Sequence, residues 1–308
     1  MKRDQRTWLL IGGAVLIVGL LVVVLAGIAR RGALRPVGLG PERTEPGRYF
    51  IFPMIFVSPA EPPAAPWRWP PYGVGVPTQY PIDTTALFAD RDYWWYDWSP
   101  RCLDARQVPM VWRDVGPALW ACNDGRPLLV LNEPDYVGQA NLTPAQAAAR
   151  LYEVRHWRGE IYCCGTAAHH LAYIAAVIDA YQAQYGAWPA AGWHVHGYSN
   201  RAVWVKDIPD VKYVPGALAD LDAFIAYVRG RGLLGRGVVV SEYGVLSRKD
   251  WHIPAELVPA FQAYRTGLAH RPAVLATAWF STYYLPLSAS DLLYQDGRLT
   301  ALGIEWRR

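Results

Sequence analysis

Leu128-Leu129-Val130-Leu131-Asn132-Glu133-Pro134-Asp135 is an aliphatic run that breaks off in polar residues, and Gly237-Val238-Val239-Val240-Ser241-Glu242-Tyr243-Gly244 repeats the pattern. A continuous apolar run bounded by turn residues reads as a strand buried on both faces, as in a parallel sheet covered by helices. Pro134 has no N–H to give to a ladder and ends the first strand. Each strand therefore delivers a carboxylate at its carboxyl end. Period-two alternation puts Leu129, Leu131 and Glu133 on one face, and Val238, Val240 and Glu242 on one face of the other strand.

Further short apolar or aromatic runs predict strands at Tyr93–Trp98, Val108–Trp112, Glu160–Cys164, Gly192–His196 and Ala273–Phe280. Helical patterns lie between them, the clearest at Thr143–Trp157, Ala167–Tyr185, Ala217–Arg231 and Pro254–His270, the first opened by a Thr143 cap with Pro144 behind it. Repeated strand and helix alternation over roughly 260 residues predicts an α/β fold of the (β/α)8 barrel class, in which polar groups at strand carboxyl ends form the active site. One strand is missing at the start, and Tyr49–Val57 is the expected supplier. A doubly wound sheet is the rival, but no Gly-rich phosphate turn follows any strand. Glu133 and Glu242 stand 109 positions apart, which suits the fourth and seventh strands at about 31 residues per unit.

Composition narrows the function. The chain has 308 residues, 52% apolar and 13% aromatic, enough for one large core. Residues 1–35 carry six of the 30 bases and one of the 26 acids, so the body is nearly neutral and lacks the basic footprint of a nucleic-acid binder. Trp8–Ala29 is 22 residues without a charge, long enough to span a hydrocarbon layer of roughly 30 Å as a transmembrane helix. The organisation expected is a membrane anchor over residues 1–29, a linker over 30–48 rich in Arg, Gly and Pro, and a catalytic domain over 49–308 outside the cytoplasm. A cleaved signal peptide with secretion is the alternative. Cysteines 102, 122, 163 and 164 lack Cys-x-x-Cys spacing, which argues against zinc. Cys102 and Cys122 form a disulfide in an oxidising compartment, or stay as two thiols. Cys163 and Cys164, adjacent in a strand, are expected to face opposite sides.

Two carboxylates at one barrel mouth supply what glycoside hydrolysis needs: an acid to protonate the leaving oxygen and a carboxylate at the anomeric carbon. The motifs resemble glycoside hydrolase clan A, and more narrowly the alkali-sensitive-linkage-type glycosyl hydrolase catalytic domain of family 128. They are Tyr96-Asp97-Trp98, Val108-Pro109-Met110-Val111-Trp112, Asn132-Glu133-Pro134-Asp135 with Gln139, Asn141 and Pro144, His196-Gly197-Tyr198, and Ser241-Glu242-Tyr243, in family order over about residues 93–282. The resemblance implies Glu133 as acid/base, Glu242 as nucleophile, Asn132 on the sugar 2-hydroxyl, Tyr198 on the nucleophile, and Trp279 as the sugar platform. His196 and Tyr243 are carried along as support. It implies hydrolysis of a β-linked polysaccharide, a β-1,3-glucan first, with no cofactor. Asp97 and Gly197 depart from the family's Asn and bulky aromatic, and both are expected near the cleft.

Among 15 Trp residues, Trp98, Trp112 and Trp279 fall at or near strand ends and are candidates for stacking on sugars, with Trp67 and Trp69 as further contacts. A metal reading would join His194 and His196 to His169 and His170, but no acidic ligand sits at matching spacing and retaining chemistry needs no metal. The competing functions are a catalytically silent glycan-binding envelope protein on the same barrel, and another clan A activity on mannan, xylan or galactan.

Overall fold

The computed structural model describes residues 67–79, 82–167, 170–198, 214–244, 254–283 and 290–308. Eight parallel strands form one sheet: β1 (Tyr72–Gly75), β2 (Trp94–Tyr96), β3 (Met110–Val111), β4 (Leu128–Asn132), β5 (Ile161–Gly165), β6 (Gly192–His196), β7 (Val238–Tyr243) and β8 (Val274–Trp279). Their order, β2-β1-β8-β7-β6-β5-β4-β3, leaves β2 and β3 as the two ends. A parallel bridge between Trp95 and Gln107 joins those ends, with Val108 N–H donating to the Trp95 carbonyl at 2.8 Å, and closes the barrel. The (β/α)8 expectation holds, and β4 and β7 do carry the two glutamates.

The helices return the chain outside the barrel: α1 (Thr85–Phe88), α2 (Pro117–Trp120), α3 (Pro144–Glu153), α4 (Leu171–Tyr185), α5 (Val214–Gly230), α6 (Val258–Ala269), preceded by a 3-10 turn at Pro254–Leu257, and α7 (Ala301–Trp306). Local chemistry fixes the start of α3: Thr143 Oγ1 accepts from Gln146 N–H while the Gln146 side chain accepts from Thr143 N–H, a reciprocal cap behind which Pro144 loses no bond. Two apolar layers follow from the strands. Inside the barrel lie Trp94, Tyr96, Val108, Met110, Leu129, Tyr162, Val239, Ala276 and Ala278. Outside, Val130, Val195, Val238 and Val240 join Leu151, Ile174, Phe224 and Phe261 of the helices. Each fully buried aliphatic or aromatic side chain in either layer contributes about 1.5–3 kcal/mol over exposure.

Several expectations change. The strand between β8 and β2 is Tyr72–Gly75, paired Gly73 to Trp94 and Tyr72 to Thr277; Tyr49–Val57 and the segment Trp8–Ala29 lie outside the described residues. Among the described residues no helix is long and apolar enough to cross a membrane. Trp67 and Trp69 pack at the amino-terminal foot of the barrel, away from the mouth: Trp69 sits edge-on against Trp94 at 4.9 Å and Tyr162 at 5.3 Å, and its indole N–H donates to Tyr162 Oη. Cys102 and Cys122 are bonded, with Cα atoms 5.7 Å apart, while Cys163 and Cys164 are joined to each other and both belong to the outer layer, where strand alternation predicted opposite faces.

Candidate active site

Strict alternation fails at the carboxyl ends of β4 and β7, and the failures aim the glutamates. In β4, Leu129 lies inside the barrel, but Leu131 belongs to the outer layer with Val130. Leu131 has φ 74° and Glu133 φ 43°, both left-handed, a conformation costing a side-chain-bearing residue roughly 1–2 kcal/mol. The turn is held by Glu133 N–H on the Gly165 carbonyl, Tyr136 N–H on the Glu133 carbonyl and Leu142 N–H on the Pro134 carbonyl. In β7 the inner residue is Val239, so Val238 and Val240 face the helices and alternation would send Glu242 after them. Instead the register slips against β6 between Val195 and His196, and against β8 between Val240 and Tyr243. Such a bulge re-aims a side chain, and Ser241 and Glu242 both turn inward while Tyr243 points out.

His196 on β6 links the two carboxylates. Its Nδ1 lies 2.8 Å from Glu133 Oε1 and its Nε2 lies 3.4 Å from Glu242 Oε1. The three side chains present atoms within 4.8 Å of one another, so the two carboxyl groups share one sugar-sized gap. Glu242 is held at both oxygens: Trp98 Nε1–H donates to Oε1 at 2.7 Å and Tyr198 Oη–H donates to Oε2 at 3.2 Å. Burial drives the Glu242 pKa up, and the Glu133 charge adds to this; the His196 charge and the Trp98 and Tyr198 donors pull against it, leaving it above the ordinary carboxylate range. Burial opposes protonation of His196, but the Glu242 charge and the hydrogen bond and charge of Glu133 outweigh it and raise its pKa. When a proton resides on Glu133, one of the two forces raising Glu242 disappears. The donors on Glu242 then favour its ionised form.

These atoms make the described set nearest to a metal site. A first-row ion with bonds near 2.0–2.2 Å needs its ligand atoms closer than the outer limit of this spread, and the carboxylates already have hydrogen-bond partners. His170 lies 2.6 Å from Asp135 and His169 is outside the described residues.

One layer below, His194 ties four strands. Nε2 lies 2.9 Å from the Val130 carbonyl and 3.0 Å from Gly165 N–H, and Nδ1 lies 3.0 Å from Ser241 Oγ. Burial lowers its pKa to about 3, so the ring is neutral. In one tautomer Nε2–H donates to Val130 and Nδ1 accepts from Ser241; in the other Nδ1–H donates to Ser241 and Nε2 accepts from Gly165. Tyr96 Oη–H donates to the Ser241 carbonyl at 2.8 Å, a second tie beneath Glu242.

Other predicted residues fall elsewhere. Trp279 is fully buried on the outer side of β8, edge-on to Tyr243 at 5.1 Å and Phe261 at 5.0 Å, with its N–H on the Ser290 carbonyl. It offers no platform to a sugar. Tyr243 packs with it against α6 and has no place beside the carboxylates. The aromatic at the mouth is the next residue, Phe280, half-buried, with its ring 5.6 Å from Trp98 and 6.4 Å from Tyr198. Gly197 faces the β7 wall, where a Cβ would come 2.9 Å from Val240 Cγ1, so its lack of a side chain leaves the cleft unchanged. Asp97 is buried and engaged by Ser99, Arg101 and Thr78. Trp112 packs between the two layers, its carbonyl accepting Asn132 N–H. Asn132 gives Nδ2–H to Gln139 at 3.3 Å and keeps a buried Oδ1 without a partner, an acceptor suited to a hydroxyl.

Residues 84–176 match the family described as the glycosyl hydrolase catalytic core. The barrel is similar to a family 128 subgroup I endo-β-1,3-glucanase of Amycolatopsis mediterranei solved with laminarihexaose, at TM-score 0.59 and 19% identity over 77% of this chain and 98% of that one. It is also similar to a subgroup II endo-β-1,3-glucanase of Pseudomonas viridiflava, at TM-score 0.55 and 26% identity over 78% of this chain and 96% of that one. A subgroup III curdlan-specific exo-β-1,3-glucanase of Blastomyces gilchristii gives TM-score 0.54 and 21% identity over 77% and 97%. No curated protein matches the chain. A glycosyl hydrolase catalytic core is therefore matched over residues 84–176, within a barrel similar to those of family 128 enzymes.

Proposed function

We propose that the chain hydrolyses β-1,3-linked glucan with retention of configuration, using Glu133 as acid/base and Glu242 as nucleophile. The observation that carries this reading is the closeness of the two carboxylates, whose nearest oxygens lie within 4.8 Å across His196. Retaining enzymes need about 5–5.5 Å between the groups, whereas an inverting pair leaves roughly 6.5–9.5 Å for a water. In the first step Glu133 gives its proton to the glycosidic oxygen as a Glu242 oxygen attacks the anomeric carbon. The C–O bond to the leaving sugar breaks and a glycosyl ester forms. Glu133, now a carboxylate, takes a proton from water as that water attacks the same carbon and releases Glu242. Asn132 Oδ1 accepts from the sugar 2-hydroxyl, and Phe280 and Trp98 offer apolar faces to the ring.

The β-1,3-glucan assignment draws on the substrates named for the similar enzymes. Product release from laminarin, curdlan, mannan, xylan and galactan, with Glu133→Gln and Glu242→Gln as controls, tests it. Reducing ends from laminarin that vanish in both variants support it, and release from another polysaccharide alone would replace the substrate class. Glycan binding without any product would leave a silent barrel.

The same reading places the domain, residues 49–308, outside the cytoplasm on the 1–29 anchor and 30–48 linker. Support comes from the uncharged Trp8–Ala29 segment and from the Cys102–Cys122 disulfide, which oxidising compartments preserve. Protease accessibility of the domain on intact cells checks this topology.

A further inference from the structure

Trp98 owes its position to residues that touch neither carboxylate. Its φ is 55°, a left-handed backbone that surroundings must impose on a residue bearing an indole. On one side the ring lies against the bare backbone of Gly75 in β1, where a Cβ would stand 2.5 Å from Trp98 Cη2. On the other side is Asp97, its side chain fully buried, which accepts from Ser99 Oγ at 2.6 Å, from an Arg101 Nη at 2.7 Å and from Thr78 Oγ1 at 3.3 Å. Arg101 closes the ring by donating to Ser99 Oγ at 3.1 Å and to Thr78 Oγ1 at 2.7 Å. Residues 97, 99 and 101 are thereby drawn into one turn tied to the end of β1.

We infer that the Asp97–Arg101 ion pair is a positioning device for Glu242: it fixes the left-handed turn that aims the Trp98 indole N–H at Oε1. The inference rests on Glu242 being the nucleophile. An indole nitrogen only donates, so it favours the ionised carboxylate, whereas a tyrosine hydroxyl can both donate and accept. With Tyr198 on Oε2, the two donors fix the carboxylate plane in the gap shared with Glu133. Losing the Trp98 contact leaves Oε1 with only the longer approach of His196 Nε2 at 3.4 Å. Asp97 and Arg101 act through Trp98 and are positioning residues.

The test uses a 2-deoxy-2-fluoro-β-laminaribiosyl fluoride on the full chain. A Glu242 oxygen forms the bond to the anomeric carbon as the C–F bond breaks and fluoride leaves, with no help from Glu133, so the labelling rate reads the nucleophile alone. Labelling is expected to fall on the order of tenfold to a hundredfold in Trp98→Phe and about tenfold in Arg101→Met, as for loss of a hydrogen bond to a charged group. Arg101→Lys keeps a cation beside Asp97 and is expected to retain most of the rate, whereas Asp97→Asn breaks the ion pair and is expected to lose about as much as Arg101→Met. The acid limb of kcat/KM should rise in pH for Trp98→Phe and Arg101→Met together. Labelling of Arg101→Met at the parent rate, even with a lowered Tm, makes the ion pair purely structural and overturns the inference. A parent enzyme that is turned over yet never labelled at Glu242 removes the nucleophile reading, and the positioning role with it.

Discussion

Trp279 and Phe280, adjacent at the end of β8, serve opposite sides of the barrel wall: Trp279 is buried outward against Tyr243 and Phe261, while Phe280 stands beside Trp98 and Tyr198 above the carboxylates. Truncating them should therefore separate stability from binding. Trp279→Ala opens a cavity in the outer layer and is expected to cost about 3–5 kcal/mol of stability. Phe280→Ala should leave Tm nearly unchanged and lower kcat/KM on laminarin by roughly tenfold, in the range of a lost aromatic contact. Denaturation midpoints and kinetics of the two variants check this.

The two strand ends also explain what could be read before the fold was seen. Aliphatic runs ending in Asn132-Glu133 and Ser241-Glu242 declared buried parallel strands with a polar mouth, and the capped helix at Thr143-Pro144 declared its own start. Resemblance and a strand-end position point to Trp279 as the platform, but neither reveals which of Trp279 and Phe280 clears the barrel wall. Glu133 and Glu242 meet at one mouth, but not through the alternation expected: left-handed Leu131 and Glu133 and the slipped register of β7 are decided by neighbouring strands, which local periodicity does not see. His194 and Phe280 belong to none of the quoted motifs, and the Tyr96-Asp97-Trp98 motif does not show that Tyr96 holds the Ser241 carbonyl beneath Glu242. Tyr72–Gly75 escaped notice as β1 because two glycines in four residues weaken a strand pattern. Gly73 is there because a Cβ would meet the Trp94 ring at 2.4 Å.

The neutral, buried His194 makes stability depend on pH. Its folded pKa of about 3 lies below the unfolded value of 6.5, so the unfolded chain binds the extra proton between them. Its contribution is fully present above pH 6.5 and is lost as pH falls toward 3, at up to about 1.4 kcal/mol per pH unit. Urea unfolding as a function of pH should show a shallower slope in this window for His194→Gln than for the parent.

Glu242 carries the opposite sign. Its folded pKa is raised by burial, so the stability linked to it is present below the unfolded value of 4.5 and is lost as pH rises through the folded pKa. Glu242→Gln is therefore expected to melt a few degrees higher than the parent at pH 7 while losing turnover. The acid limb of kcat/KM in the parent should lie above the ordinary carboxylate range, since catalysis needs Glu242 ionised. A Glu242→Gln variant with both lower Tm and retained turnover would contradict the assignment.

Azide distinguishes the two carboxylates. Glu133→Ala should keep glycosylation by substrates with good leaving groups and yield a β-glycosyl azide, because the small anion replaces the base in the second step. Glu242→Ala should be rescued through direct displacement and yield an α-glycosyl azide. Product stereochemistry by NMR checks both, and an exchanged pattern would exchange the roles.

The most direct test of the account is the configuration of the sugar first released from a β-1,3-glucan oligomer, followed by proton NMR before mutarotation. Double displacement across the gap between Glu133 and Glu242 predicts the β-anomer at the earliest times, drifting later to the mixture. The α-anomer appearing first would mean a single displacement and would contradict the proposed role of Glu242.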